Sequence, residues 1–177
     1  MTRYLVPFIA LAIMIPVFII GLNRDPTEVP SPLLDKPAPT FELPSLTDPQ
    51  ATVGSADYEG QMALVNVWAT WCGGCRQEHD YLMKLASEID IPIYGLDWRD
   101  RREEALVWLE KLGDPYVASA YDEDGRVGID WGVYGAPETF LIDENGVVLH
   151  KHISPMTEKV WREDFLPRIK DAQEARK

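Results

Sequence analysis

The chain has 177 residues, 46% of them hydrophobic, with six tryptophans, enough for one domain with a real core plus an appendage. Acidic residues number 29 against 17 basic ones, and the formal charge of −12 repels nucleic-acid phosphates while favouring solubility and a basic partner. Only two cysteines occur, three positions apart, which excludes a disulfide scaffold and a four-thiolate zinc site and points to redox chemistry.

In chain order, the first element is the uncharged stretch Tyr4 to Leu22, whose 19 residues are about the length that crosses a hydrocarbon core. Pro7 and Pro16 are tolerated in membrane helices. Arg3 and the amino terminus place positive charge before the stretch, so residues 23–177 are expected outside the cytoplasm. No small-x-small cleavage site follows Leu22, so residues 1–22 read as an uncleaved anchor in preference to a signal peptide. Pro26, Pro30, Pro32, Pro37 and Pro39 make residues 23–40 a stiff linker. The folded domain is expected over 41–177.

Phe41 to Leu46 is a candidate short strand. Met62 to Trp68 (MALVNVW) is an apolar run of strand length, read as a buried central strand with Trp68 in the core. Next comes Trp71-Cys72-Gly73-Gly74-Cys75. After it, Leu82, Leu85, Ala86 and Ile89 form a helical stripe. Cys72 therefore falls at a helix N-terminus, where unpaired N–H groups favour a thiolate. It is expected to be exposed and to attack a substrate disulfide. Cys75 lies one turn on and resolves the mixed disulfide. The glycines leave the loop without proline's restraint.

Ile91 to Leu96 reads as a second strand. Asp100 is expected to N-cap the next helix, with Glu103 completing a capping box. Ala105, Leu109 and Leu112 give that helix its apolar face, and Gly113 suits its C-terminal cap. Residues 114–136 read as extra or irregular structure, with a turn at Asp122, Asp124 and Gly125. Thr139 to Asp143 is a third strand. Asn145-Gly146 signals a hairpin to Val147–Lys151. A last helix is expected from Thr157, ended or kinked at Pro167, with a solvated tail. Strand, helix, strand, helix, hairpin, helix is the thioredoxin order: an α/β fold with a mixed central sheet and flanking helices. A metal reading joining Cys72, Cys75 and His79 with His150 or His152 is weaker than the redox reading, and no metal is expected.

With these blocks in place, the sequence resembles the CcmG/DsbE family of membrane-tethered thioredoxin-like proteins of cytochrome c maturation. LVNVWATWCGGC, PIYGLDWRD, GRVGIDWGVYGAPETFLID and KHISPMTEKVW carry the resemblance, over roughly residues 36–166. It implies a reductant of the heme-attachment cysteines of apocytochrome c, working in the bacterial periplasm from a single-pass inner-membrane anchor. It also implies a membrane electron donor and contact with the maturation proteins. A general periplasmic thioredoxin-like reductase or oxidant, and a non-catalytic apoprotein-binding module, are the alternatives. No nicotinamide or flavin fingerprint and no CxxCH motif occurs, so the Cys72–Cys75 disulfide is the expected redox group, with no further cofactor.

By the same resemblance Pro137 is the cis-proline that faces the disulfide, and Trp71, Gly73, Gly74 and Ala136 line the substrate groove. Two departures stand out. The family usually has a proline between its cysteines, and here the pair is Gly-Gly. The position of thioredoxin's buried acid is Asn66, which leaves Glu78 and Glu138 as candidates for proton management.

Overall fold

The computed structural model describes residues 2–22 and 32–175. The chain divides into two units, Met1–Pro30 and Ser31–Lys177. In the first, α1 (Thr2–Leu22) is a helix that contains Pro7 and Pro16. Among the described residues no helix is long and apolar enough to cross a membrane, so the anchor expectation rests on the sequence. The portion of the expected linker over 23–31 lies outside the described residues.

The second unit is built on a five-stranded sheet of order β5-β4-β3-β6-β7. Its centre is β3 (Ala63–Trp68), followed by α2 (Gly73–Glu88), β4 (Ile93–Trp98), α3 (Arg102–Leu112) and β5 (Ala118–Asp122). These three strands run parallel. After α4 (Arg126–Asp130), β6 (Glu138–Ile142) pairs antiparallel with β3, and β7 (Val148–Ile153) antiparallel with β6. A separate ribbon of β1 (Glu42–Pro44) and β2 (Thr52–Gly54) precedes the sheet. The chain closes with α5 (Glu158–Val160), a π-helical turn (Trp161–Phe165) and α6 (Leu166–Glu174). This is the thioredoxin-like α/β architecture the element order predicts.

Every residue of β3, β4 and β6 is buried, because both faces of the sheet are covered. One face holds Leu64, Trp68, Leu82, Trp108, Leu141 and Phe165 together with the two cysteines. The other holds Val65, Val67, Leu96, Trp98, Trp131 and Phe140. Alternation along each strand decides which face a side chain joins.

Several local expectations are corrected. Residues 33–39, assigned to the spacer, lie on the domain: the N–H groups of Asp35 and Ala38 donate to the carbonyls of Val148 and Gly146. The indole of Trp131 donates to the Pro39 carbonyl at 3.0 Å. Residues 114–136 contain β5 and α4, and the buried Asp122 carboxylate caps α4 by accepting from Val127 and Gly128 N–H. The N-cap of α3 is Arg101. Asp100 has better partners, accepting from the Thr70 N–H and, at 2.7 Å, from the Thr70 hydroxyl.

The last helix does begin after an N-cap at Thr157, and its regular winding breaks just before Pro167, as expected of a proline that ends or kinks it; α6 then resumes with that proline in its first turn and runs to Glu174. A proline ring clashes with the carbonyl four residues before it. Here the preceding turn widens to π, with the Leu166 N–H reaching back to the Trp161 carbonyl. The tail is only partly solvated, since Ile169 is buried.

Trp131 is fully buried, edge-on to Phe140 at 5.1 Å and to Phe41 at 5.9 Å. It joins the leading segment to the far face of the sheet. Trp131→Ala should lower the unfolding free energy by about 3–5 kcal/mol, read from the shift of the urea midpoint.

Candidate active site

Cys72 and Cys75 form a disulfide with Cα atoms 5.3 Å apart. Cys72 is the N-cap of α2, and the Cys75 N–H donates to its sulfur at 2.9 Å. That donor is one of the unpaired groups of the first helical turn, and it would equally donate to a thiolate. Both cysteines are buried in this oxidised form, Cys72 at 4% exposure and Cys75 at 3%. The expectation of an exposed Cys72 is corrected: in this oxidised form it belongs to the buried apolar cluster on that face of the sheet.

Two prolines explain the Gly-Gly loop. A Cβ on Gly74 would stand 2.8 Å from Cδ of Pro137 and 3.2 Å from Cγ of Pro155. Gly73 has nothing within 4 Å of the same position. The Ala136–Pro137 bond is cis, and its ring lies on the loop between the cysteines. Ala136 is half-buried and packs against both apolar clusters.

Trp71 is the exposed wall, with 55% of its surface open. Its indole donates to the Arg99 carbonyl at 3.0 Å and its ring lies 6.0 Å from that of Trp98. Arg99 holds a left-handed backbone, φ 52°, a conformation that costs energy and often marks positioned groups. Beside Trp71 opens a groove of about 540 Å³ lined by Thr70, Arg76, Val107, Trp108 and Leu112. A larger hollow of about 620 Å³ near Pro37, Phe41 and Tyr58 contains none of these residues.

Glu78 lies one turn beyond Cys75 and is 1% exposed. Asn66 Nδ2 donates to its Oε1 at 3.0 Å, and Met156 N–H donates to its Oε2 at 2.6 Å. Asn66 also donates to Thr139 Oγ1 and accepts from the Tyr116 hydroxyl. Burial pushes the carboxyl of Glu78 up to about 7, against the opposing pull of the Met156 and Asn66 hydrogen bonds. Such a group exchanges a proton near neutral pH.

Glu138 is also fully buried, but on the other face: it pairs in register with Val67, whereas Thr139 pairs with Asn66. Its carboxylate meets Lys151 Nζ at 2.9 Å and accepts from the Tyr134 N–H. The structure thus gathers Cys72, Cys75, Glu78, Pro137, Gly74 and Trp71 and sends the Glu138 carboxylate away from them. His79 is fixed as well, with Nδ1 accepting from the Trp108 indole and Nε2 bonded to the Gly113 carbonyl.

One acid escaped the sequence reading. Asp97, at the end of β4, is fully buried opposite Trp68. Burial first, then Asp100 and Asp122, push its carboxyl up to about 8 against the pull of Arg102. The available signal was one acidic residue inside an otherwise apolar strand.

The Redoxin family model matches residues 33–165. The thiol:disulfide interchange protein DsbE of Allochromatium vinosum is 50% identical over 168 residues, 93% of this chain and 91% of that protein. The DsbE of Pseudomonas aeruginosa is 48% identical, with 88% of each chain covered. That of Escherichia coli K12 is 46% identical over 81% of this chain and 77% of that one. Among solved structures, a thiol:disulfide interchange protein DsbE from Chlorobium tepidum superposes with a TM-score of 0.67 at 28% identity, covering 78% of this chain and 98% of that one.

The two glycines should respond differently. Gly73→Ala should be neutral or stabilising by up to about 1 kcal/mol. Gly74→Ala, which drives a methyl into Pro137, should destabilise the oxidised protein by about 1–3 kcal/mol and slow disulfide exchange in a model-substrate assay.

Glu78 and Asp97 have pKa values raised above their ordinary 4.5 and 3.8. Folding therefore favours their protonated forms, and this stabilisation is complete below those ordinary values. It is lost as pH rises through about 7 for Glu78 and about 8 for Asp97. Urea titrations of the oxidised protein should show stability falling from roughly pH 5 to pH 8. Asp97→Asn should gain on the order of 2 kcal/mol over the parent at alkaline pH and nothing near pH 4.

Proposed function

Since the chain belongs to the Redoxin family and, within it, to the DsbE thiol:disulfide interchange proteins, we propose that it reduces the heme-attachment cysteines of apocytochrome c in the periplasm. The observation that carries this reading is the Cys72–Cys75 disulfide at the N-terminus of α2, with a buried, proton-exchanging carboxyl one turn away. In the reduced protein Cys72 attacks the client disulfide, releasing one client thiol and forming a mixed disulfide. Cys75 then attacks Cys72, releasing the second client thiol and leaving the disulfide present in this structure. Two electrons pass to the client. Glu78 takes the proton of the Cys75 thiol as it becomes a nucleophile. Trp71 and the Ala136–Pro137 corner hold the client strand beside the sulfurs.

The protein has no nicotinamide or flavin fingerprint, so it draws electrons from a membrane donor. Residues 4–22 serve as its single-pass anchor in the inner membrane. That reading is supported by the absence of charge from the stretch and by the exposed Phe8, Leu11, Ile13, Met14 and Val17 along α1. The Glu78 carboxyl supplies no positive charge to hold a thiolate and opposes one when ionised, which favours a stable disulfide and hence a reductant. Glu138 contributes nothing to that balance, because Lys151 neutralises it on the opposite face.

Deletion of the gene should abolish heme staining of c-type cytochromes, with rescue by an exogenous thiol. Cys75→Ser should trap a mixed disulfide through Cys72, and the parent protein should resist carbonate extraction from membranes. Alkylation of cells should find the pair mostly reduced, and oxidised once the membrane donor is lost. A pair that stays oxidised in normal cells and passes its disulfide to reduced clients would overturn the reductant assignment.

A further inference from the structure

Strand β7 carries His150 and His152 two positions apart, hence on one face. A bulge sets that face: Ile142 pairs with Val148 but Leu141 pairs with His150, so Leu149 is the extra residue. The shift turns both imidazoles toward the C-terminal helical segment, where Phe165 lies edge-on to them at 5.0 and 6.3 Å. That segment is itself irregular, with Asp164 inside the π-helical turn. Bulges and π-turns give up regular backbone pairing and are enriched where side chains are re-aimed. Here the two irregularities converge. One potential ligand atom from each of His150, His152 and Asp164 lies within 4.8 Å of the other two.

We infer that His150, His152 and Asp164 form a binding site for a divalent transition-metal cation of the zinc class. Two imidazoles and a carboxylate are a ligand set such ions accept, with a fourth tetrahedral position left for water or another donor. Bonds of about 2.0–2.1 Å place tetrahedral ligands about 3.3 Å apart, so the three half-buried side chains draw together by about 1–1.5 Å.

The Nε2 of His150 is buried and has no hydrogen-bond partner, the kind of polar atom that calls for a ligand. Ser154 Oγ lies 2.8 Å from His152 Nε2 and holds that ring, as outer contacts of metal-bound imidazoles do. Arg168, bonded to the Asp164 carbonyl, opposes a cation, and the Asp164 carboxylate offsets it. A bound ion would staple the C-terminal helix to the edge strand.

Full-length protein, without a histidine tag and with Cys72–Cys75 kept oxidised so that no thiolate competes, is titrated calorimetrically with zinc chloride while thermal melting is followed in parallel. One ion per chain should bind, and the melting midpoint should rise with zinc concentration. Magnesium should do neither. The nearly isosteric Asp164→Asn, and separately His150→Gln, should weaken zinc binding by at least roughly tenfold. No zinc-dependent heat or melting shift in the parent protein overturns the assignment. So does parent-like affinity in Asp164→Asn with an unchanged far-ultraviolet spectrum.

Discussion

The buried hydrogen bonds around Glu78 and Asn66 are the constraint on which the rest of the site depends. Asn66 comes from β3, Glu78 from α2, Thr139 from β6, Tyr116 from the approach to β5 and Met156 from the connection after β7. Five chain segments therefore meet at two side chains. A buried polar cluster in a low-dielectric interior is stabilising only when its members are satisfied. Asn66 uses both its donors and its acceptor, and Glu78 accepts at both oxygens. Displacing any one segment would leave a buried polar atom unpaired, so the cluster fixes the sheet, the redox helix and the last connection in one arrangement.

The same cluster separates two acids that look equivalent along the chain. Glu78 and Glu138 are both buried and both near the redox motif. The register of β6 against β3 puts Glu138 with Val67 on the face that holds Lys151. There it pairs with Lys151 and accepts from the Tyr134 N–H. Glu78 has no cation, only hydrogen bonds, and burial outweighs them, so its proton affinity rises toward neutrality. Location relative to the sheet, more than distance along the sequence, decides which carboxyl meets a cation and which meets only hydrogen-bond donors.

How much of this was legible in the sequence follows the strength of each local signal. The apolar β3, the glycine cap at Gly113 with φ 93°, the Asn145-Gly146 turn and the Cys-Gly-Gly-Cys motif are strong patterns, and the fold class follows from their order. The strand β5 (ASAYD) was illegible because small and polar residues hide its alternation. Asp100 reads as a cap because nothing local reveals Thr70, thirty positions away in sequence and adjacent in space. The orientation of Glu138 could not be read because β6 is buried on both faces, so hydrophobic alternation carries no information about sides. Asp97 was passed over because the strand was read as ending at Leu96, whereas β4 runs on to Trp98.

The loop between the cysteines shows how restraint can be supplied from outside a segment. A proline within such a loop would limit its conformations directly. Gly73 and Gly74 do the reverse and enlarge the set of conformations available when the chain is unfolded. In the folded protein the two prolines that close on Gly74 come from different segments, Pro137 just before β6 and Pro155 just after β7. Their approach is possible only because Gly74 lacks a Cβ. The loop is thus held by packing of distant segments, and those segments are in turn tied to α2 through Met156 and Glu78. The geometry of the disulfide therefore depends on tertiary contacts that the motif itself does not encode.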